Sequence, residues 1–162
     1  MLPWQKRPFE IANLVNPAYC SLIIYTSLSD FYKEKHQGMS YALSFLILPM
    51  VLHKPTLESF PQTTKTSLYE WVKCQSIDFG MMFRERTRQL IPYTKESLMF
   101  GMQHRILKID KDGNLIKLTG NIEMEKLPCS VNNILGQSAF LGRWFAQSEH
   151  EAIIFRIFGI RL

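Results

Sequence analysis

Histidines, cysteines and carboxylates are the side chains in this chain that could do chemistry, and their spacing limits what that chemistry could be. His36, His53, His104 and His150 are scattered and seldom have an acidic neighbour. A general base needs an orienting, pKa-tuning partner, and local sequence supplies none. Glu123 and Glu125 stand two apart in loop-forming sequence, a spacing that suits solvated charges better than an acid and base pair. Cys20, Cys74 and Cys129 are widely separated and odd in number, so they form no C-x-x-C site. They are expected to be small buried thiols in a reducing, cytoplasmic setting. No G-x-x-x-x-G-K-S/T phosphate loop, H-E-x-x-H or G-x-S-x-G occurs. The expectation is therefore no catalytic residues, no metal and no cofactor.

The bulk composition agrees with a folded, non-membrane protein. The chain has 162 residues, 46% of them hydrophobic, enough to bury about two thirds of its unfolded surface. A net charge of +5, spread along the chain, permits a nucleic-acid or acidic partner without demanding one. The longest apolar run, residues 41–52, is short of the about 20 residues that cross a bilayer. Residues 1–8 hold Trp4, Lys6, Arg7 and two prolines, which is not a signal peptide.

The elements that would position these side chains centre on residues 65–120. Leu68, Trp71 and Val72 predict a helix over 67–75. A second runs over 79–91 and stops at Pro92, because proline lacks the amide a helix interior needs. Thr94 is a good N-cap for a third, with Leu98, Met102 and Ile106 along one stripe. Leu107 and Ile109 then alternate with Lys108 and Asp110, and Lys111-Asp112-Gly113-Asn114 is a turn signal before the apolar run 115–118. That pattern predicts a β-hairpin. Three helices followed by a hairpin is the order of a winged helix, a module that binds nucleic acid or proteins.

The third helix bears on which. Leu98, Met99, Met102 and Ile106 fall on one arc, with Glu96, Ser97, Phe100, Gln103 and His104 opposite. A helix in the major groove needs side chains that reach base edges, and only Gln103 suits. An exposed Phe100 fits a protein partner better. Arg84 and Arg88 share a face of the second helix and Arg86 lies off it; Lys108, Lys111 and Lys117 on the hairpin are the nucleic-acid candidates.

Before this unit, residues 7–14 predict a short helix with Phe9, Ile11 and Leu14 on its apolar face. Asn16-Pro17 starts a helix running to residue 35 that is apolar on several sides. Another is expected over 40–53, closing on the cations His53 and Lys54 and stopped by Pro55, with a linker over 56–65. After the hairpin, a loop over 119–133 leads to a helix capped by Asn132 or Asn133 and holding Leu141, Trp144 and Phe145. Gly136 and Gly142 weaken that helix unless another backbone approaches closely, and such an approach is expected at Gly142. Ser148 and Glu151 have capping-box spacing, and residues 152–158 suit a helix or a strand. The fold class is mainly α, within α+β: an N-terminal helical pair (1–64), a winged-helix-like unit (65–120), and a loop with C-terminal helices (121–162) packing on the rest.

Four stretches together resemble one family. They are Arg7-Pro8-Phe9-Glu10-Ile11-Ala12-Asn13-Leu14-Val15-Asn16-Pro17-Ala18-Tyr19-Cys20; Leu48-Pro49-Met50-Val51-Leu52-His53-Lys54-Pro55-Thr56; Phe83-Arg84-Glu85-Arg86-Thr87-Arg88 with Thr94-Lys95-Glu96-Ser97-Leu98-Met99-Phe100-Gly101; and Phe140-Leu141-Gly142-Arg143-Trp144-Phe145-Ala146. In this order they resemble the middle component of bacterial three-component ABC (ABC-3C) systems, a group that includes the small subunit of Lamassu-type anti-phage defence. The resemblance implies a non-enzymatic subunit beside an SMC-like ABC ATPase of the DNA-repair type and an effector, often a nuclease. DNA would be met through the complex, and no catalytic residues are carried over. Gly159-Ile160-Arg161 resembles the family's terminal Gly-Val-Arg-Pro but ends in Leu162, and residues 121–132 match no pattern. Phe100, Arg84, Arg88, Arg143, Trp144, Arg156 and Arg161 are the candidate protein contacts. Two functions follow as expectations: an adaptor between ATPase and effector, or a winged-helix DNA-binding regulator or DNA-sensing subunit.

Overall fold

A computed structural model describes residues 6–118, 128–148 and 150–160. A short helix, α1 (Phe9–Leu14), leads into α2 (Pro17–Lys35), where the Asn16 side chain accepts the amides of Ala18 and Tyr19 and Pro17 fills the first turn. Strand β1 (Met39–Ser40) follows, then a 3-10 turn (Leu43–Leu46), α3 (Ile47–Val51), α4 (Lys54–Glu58), α5 (Leu68–Lys73) and α6 (Phe79–Gln103). The hairpin β2 (Leu107–Ile109) and β3 (Asn114–Lys117) comes next, and α7 (Cys129–Gln147) and α8 (Glu151–Ile157) complete the order. The chain is mainly helical with one small antiparallel sheet, as the α+β reading expects.

α2 is the element the others pack on. Its apolarity on several sides has its reason in tertiary structure: Cys20, Ile23, Ile24, Leu28 and Phe31 are buried, with α7 and α6 as its main neighbours. The stretch Phe9–Lys35 is long and apolar enough to cross a membrane by length and composition alone; in its α2 part the buried apolar residues are core packed against α6 and α7. Close helix approach needs small residues. A Cβ on Gly142 of α7 would lie 2.1 Å from the Ser27 carbonyl oxygen of α2, and one on Gly101 of α6 would lie 2.6 Å from Ser21 Oγ. The close contact expected at Gly142 is present.

The expected break at Pro92 does not occur. α6 runs 25 residues through it, so two helices, not three, precede the hairpin. Phe83, Thr87, Leu90, Thr94, Ser97 and Gly101 recur at four- and three-residue steps and are buried or half-buried on both sides of the proline. Pro92 itself is exposed. Its ring therefore faces water, and packing of the continuous stripe offsets the local cost of about 3 kcal/mol. The same packing corrects the arcs at the end of this helix: Ser97 and Leu98 are buried and Met99 is exposed.

The hairpin forms as predicted, with Leu107 opposite Lys117 and Ile109 opposite Leu115. β1 adds a third strand, in the order β1-β3-β2, through Met39 opposite Leu115. It displaces the start of the helix expected over 40–53. Gly38 permits the approach, since a Cβ there would meet the Leu115 carbonyl oxygen at 2.9 Å.

Several helix ends also differ from expectation. Pro55 sits in the first turn of α4 rather than ending a helix, and His53 is its N-cap. Part of the expected linker is thus helical. Ser148 and Glu151 form no capping box, because Ser148 is the C-cap of α7 and α8 begins at Glu151 with no side-chain cap bond. A reciprocal box forms instead between Ser67 and Glu70 at the start of α5. α7 starts at Cys129, ahead of Asn132 and Asn133. Residues 151–157 are helical and not a strand.

An aromatic cluster joins α5, α6, α7 and α8. Trp71 meets Trp144 edge-on at 5.4 Å, Phe60 meets both indoles, and Phe83 stacks on Phe158 at 4.5 Å. Both indole N–H groups are used: Trp71 donates to the Ser59 carbonyl and Trp144 to the Thr66 carbonyl, each at 2.7 Å. They fix the two ends of the segment between α4 and α5.

Candidate protein-interaction site

The residues proposed from sequence do not converge on one place. Trp144 is 1% exposed and its contacts are internal. Arg143 is ion-paired with the buried Asp30 of α2. Arg88 is exposed but paired with Glu85 at 3.0 Å on its own helix. Phe100 is half-buried and packs on His104 at 4.1 Å between ring centroids. Arg84 and Arg156 do come together, lining one shallow hollow between α6 and α8 with Phe155 and Ile160. Arg84 Nη1 there donates to the Gly159 carbonyl at 3.2 Å. Arg161 lies outside the described residues. On the hairpin, Lys108 and Lys111 are exposed, whereas Lys117 Nζ reaches Ser29 Oγ at 2.9 Å.

The other sequence candidates resolve simply. Burial pushes the Cys20 thiol up to about 12, so it stays protonated and inert. Cys74 is exposed, against the expectation of buried thiols, and the Cys129 side chain is not among those described. Among the described residues, no cluster of three or more His, Cys, Asp or Glu side chains could hold a metal ion.

Apolar exposure concentrates on α1 and the first half of α6. Phe9 is 77% exposed, Leu14 55% and Met82 57%, and Ile77, just before α6, is fully exposed. The apolar face expected for α1 therefore exists but faces outward; Arg7, bonded through both Nη atoms to Glu96 at 2.8 Å, ties this end to α6.

Between these surfaces lies an arrangement that the sequence reading missed. Two hollows of about 320 and 500 Å³ adjoin along α6 and share His53 and Arg86. Pro55, Phe79 and Met82 line one; Leu14, Leu52, Leu90 and Tyr93 line the other. Arg86 is half-buried with its guanidinium over the Phe83 ring at 5.4 Å. Its Nη2 donates to Thr56 Oγ1 at 3.1 Å, while its buried Nε has no acceptor. The Thr56 amide donates to His53 Nδ1, so that nitrogen carries a lone pair and the Thr56 hydroxyl, 2.7 Å away, donates to it as well. The amide bond caps α4, and the ring is neutral with its proton on Nε2. Burial first, and the Arg86 charge second, hold His53 below its usual range. That reverses its expected role as a cation at a helix end. Burial likewise lowers the Arg86 pKa. The available signal was the Phe83, Thr87, Leu90 stripe, which puts Arg86 at the edge of the buried face, three residues after Phe83 and four before Leu90.

No curated protein and no solved structure matches this chain. The family model described as ABC-three component (ABC-3C) system Middle Component 3 matches residues 4–162, which spans α1 to α8, the outward apolar face of α1 and both hollows. On a match of that extent, the chain belongs to the ABC-3C system Middle Component 3 family.

Proposed function

We propose that this chain is a non-enzymatic adaptor that joins the ABC ATPase of its system to an effector and helps keep that effector inactive until foreign DNA is sensed. Family membership implies partner components, such as an ABC ATPase subunit. The finer reading assigns an SMC-like ATPase, a nuclease-type effector and a Lamassu-type anti-phage role. The observation that carries it is the outward-facing apolar set on α1 and α6, Phe9, Leu14, Met81 and Met82 among them. Such surface is costly in water and is covered in an assembly. Co-expression with the two neighbouring components tests it: the chain is expected to elute in a complex with both. Elution as a monomer that binds neither overturns the adaptor reading.

A second reading, DNA contact through the hairpin, is favoured by the exposure of Lys108 and Lys111. It predicts salt-dependent duplex binding that weakens when both become glutamate. Absence of any mobility shift at low salt removes it.

A further inference from the structure

We infer that the paired hollows around Arg86 receive a protein segment from another component of the complex, one that places an Asp or Glu carboxylate on Arg86 between apolar side chains. This rests on the adaptor reading, since it needs a protein partner, and goes further by naming the surface and the chemistry that docks there.

Arg86 has no carboxylate partner among the described residues. The adjacent Glu85 is occupied instead by Arg88 and Gln89. A half-buried guanidinium bonded only to a hydroxyl is incompletely compensated for leaving water, and a bidentate carboxylate is its natural complement. Thr56 and the Phe83 ring hold it in place before anything binds.

The surroundings select the kind of partner. Exposed Leu14 lines one hollow with Leu52, Leu90 and Tyr93, and exposed Met82 lines the other with Pro55 and Phe79. This is an apolar patch with a central arginine, the composition of an interface hot spot. A nucleic-acid surface is more polar and carries several cations, whereas among the described residues the one other ionisable group shared by the hollows is the neutral His53.

The test uses the chain in complex with the ABC ATPase and effector components of its system. A photo-cross-linking residue replaces Met82, with the same residue at Lys108 as a control, and Arg86→Glu and Met82→Asp are made separately. Met82 is exposed, so Met82→Asp leaves the fold intact even if Arg86→Glu disturbs it. The expected result is a cross-link from position 82, and not 108, to a segment holding an Asp or Glu. Co-purification should fall at least ten-fold in each variant, and changing that acidic residue to Arg should restore binding to Arg86→Glu. A silent position 82 in a complex that still assembles overturns this inference and leaves the adaptor reading standing. So does a captured segment with no acidic residue, or an Arg86→Glu variant that loses only duplex-DNA binding. Failure of the unaltered chain to bind either component removes both.

Discussion

Gly142 of α7 lies so close to Ser27 of α2 that a side-chain carbon on the glycine would sit 2.1 Å from the serine's carbonyl oxygen. Backbone cannot retreat as a flexible side chain can, so Gly142→Ala pushes α7 off α2. A loss of about 2–4 kcal/mol is expected from overpacking at a backbone contact. Gly136, earlier on the same helix, has open space where a Cβ would go, with nothing within 4 Å. There Gly136→Ala should stabilise by about 0.5–1 kcal/mol, the helix propensity difference. Denaturant unfolding of both variants checks the pair, and equal effects would contradict the packing described.

Arg143 closes the same helix pair with charge. Its partner Asp30 is buried on α2, and Lys33 also contacts that carboxylate. Arg143→Ala is expected to cost about 1–3 kcal/mol because it leaves a buried carboxylate short of a donor. Asp30→Asn with Arg143→Ala should cost less than the sum of the single changes, and a double-mutant cycle reads this directly. Additive costs would mean that the two side chains do not interact.

Pro92 sits on the solvent face of α6 without ending it. Pro92→Ala should therefore restore a helix hydrogen bond without disturbing any packing, raising stability by about 1–3 kcal/mol. Thermal unfolding measures it. A destabilised variant would show that the proline's ring or its local geometry is needed.

Protonation of His53 should weaken the fold in mild acid. Folded His53 takes up its proton at lower pH than in the unfolded chain, whose ordinary value is 6.5. Between those two values the unfolded state binds more protons. Stability is complete above the ordinary value, declines as pH falls below it, and loses this contribution beneath the folded value. The charged ring could no longer accept the Thr56 amide and would face Arg86. His53→Asn keeps an N-cap and removes the titration, so its stability should fall less between pH 7 and pH 5 than that of the unaltered chain. Parallel slopes would exclude His53 as the sensitive group.

Trp144 should behave as a core residue. Trp144→Phe keeps most of the ring contacts but leaves the Thr66 carbonyl without its donor, for about 1–3 kcal/mol. Binding to partner components should be unchanged once the variant is folded. A variant as stable as the original that fails to bind would return Trp144 to the interface.

Where local residues decide local geometry, the sequence was sufficient. Asn16-Pro17 starts α2, the alternation around Lys111-Asp112-Gly113-Asn114 makes the hairpin, and the Gly142 contact was legible from a glycine's cost in a helix. The absence of a recognisable catalytic motif and the family blocks were also readable in the linear order. Tertiary structure decided what local rules left to competition. A buried stripe from Phe83, stacked on Phe158, to Gly101, against α2, carries α6 through a proline that would end an isolated helix. Pairing with β3 draws Met39 and Ser40 into a sheet instead of a helix. Arg86 gains its significance only because folding brings His53 and Thr56 beside it while Glu85, its neighbour in sequence, points to Arg88. Burial and charge pairing depend on which distant residues arrive, and spacing along one strand of sequence does not contain that information.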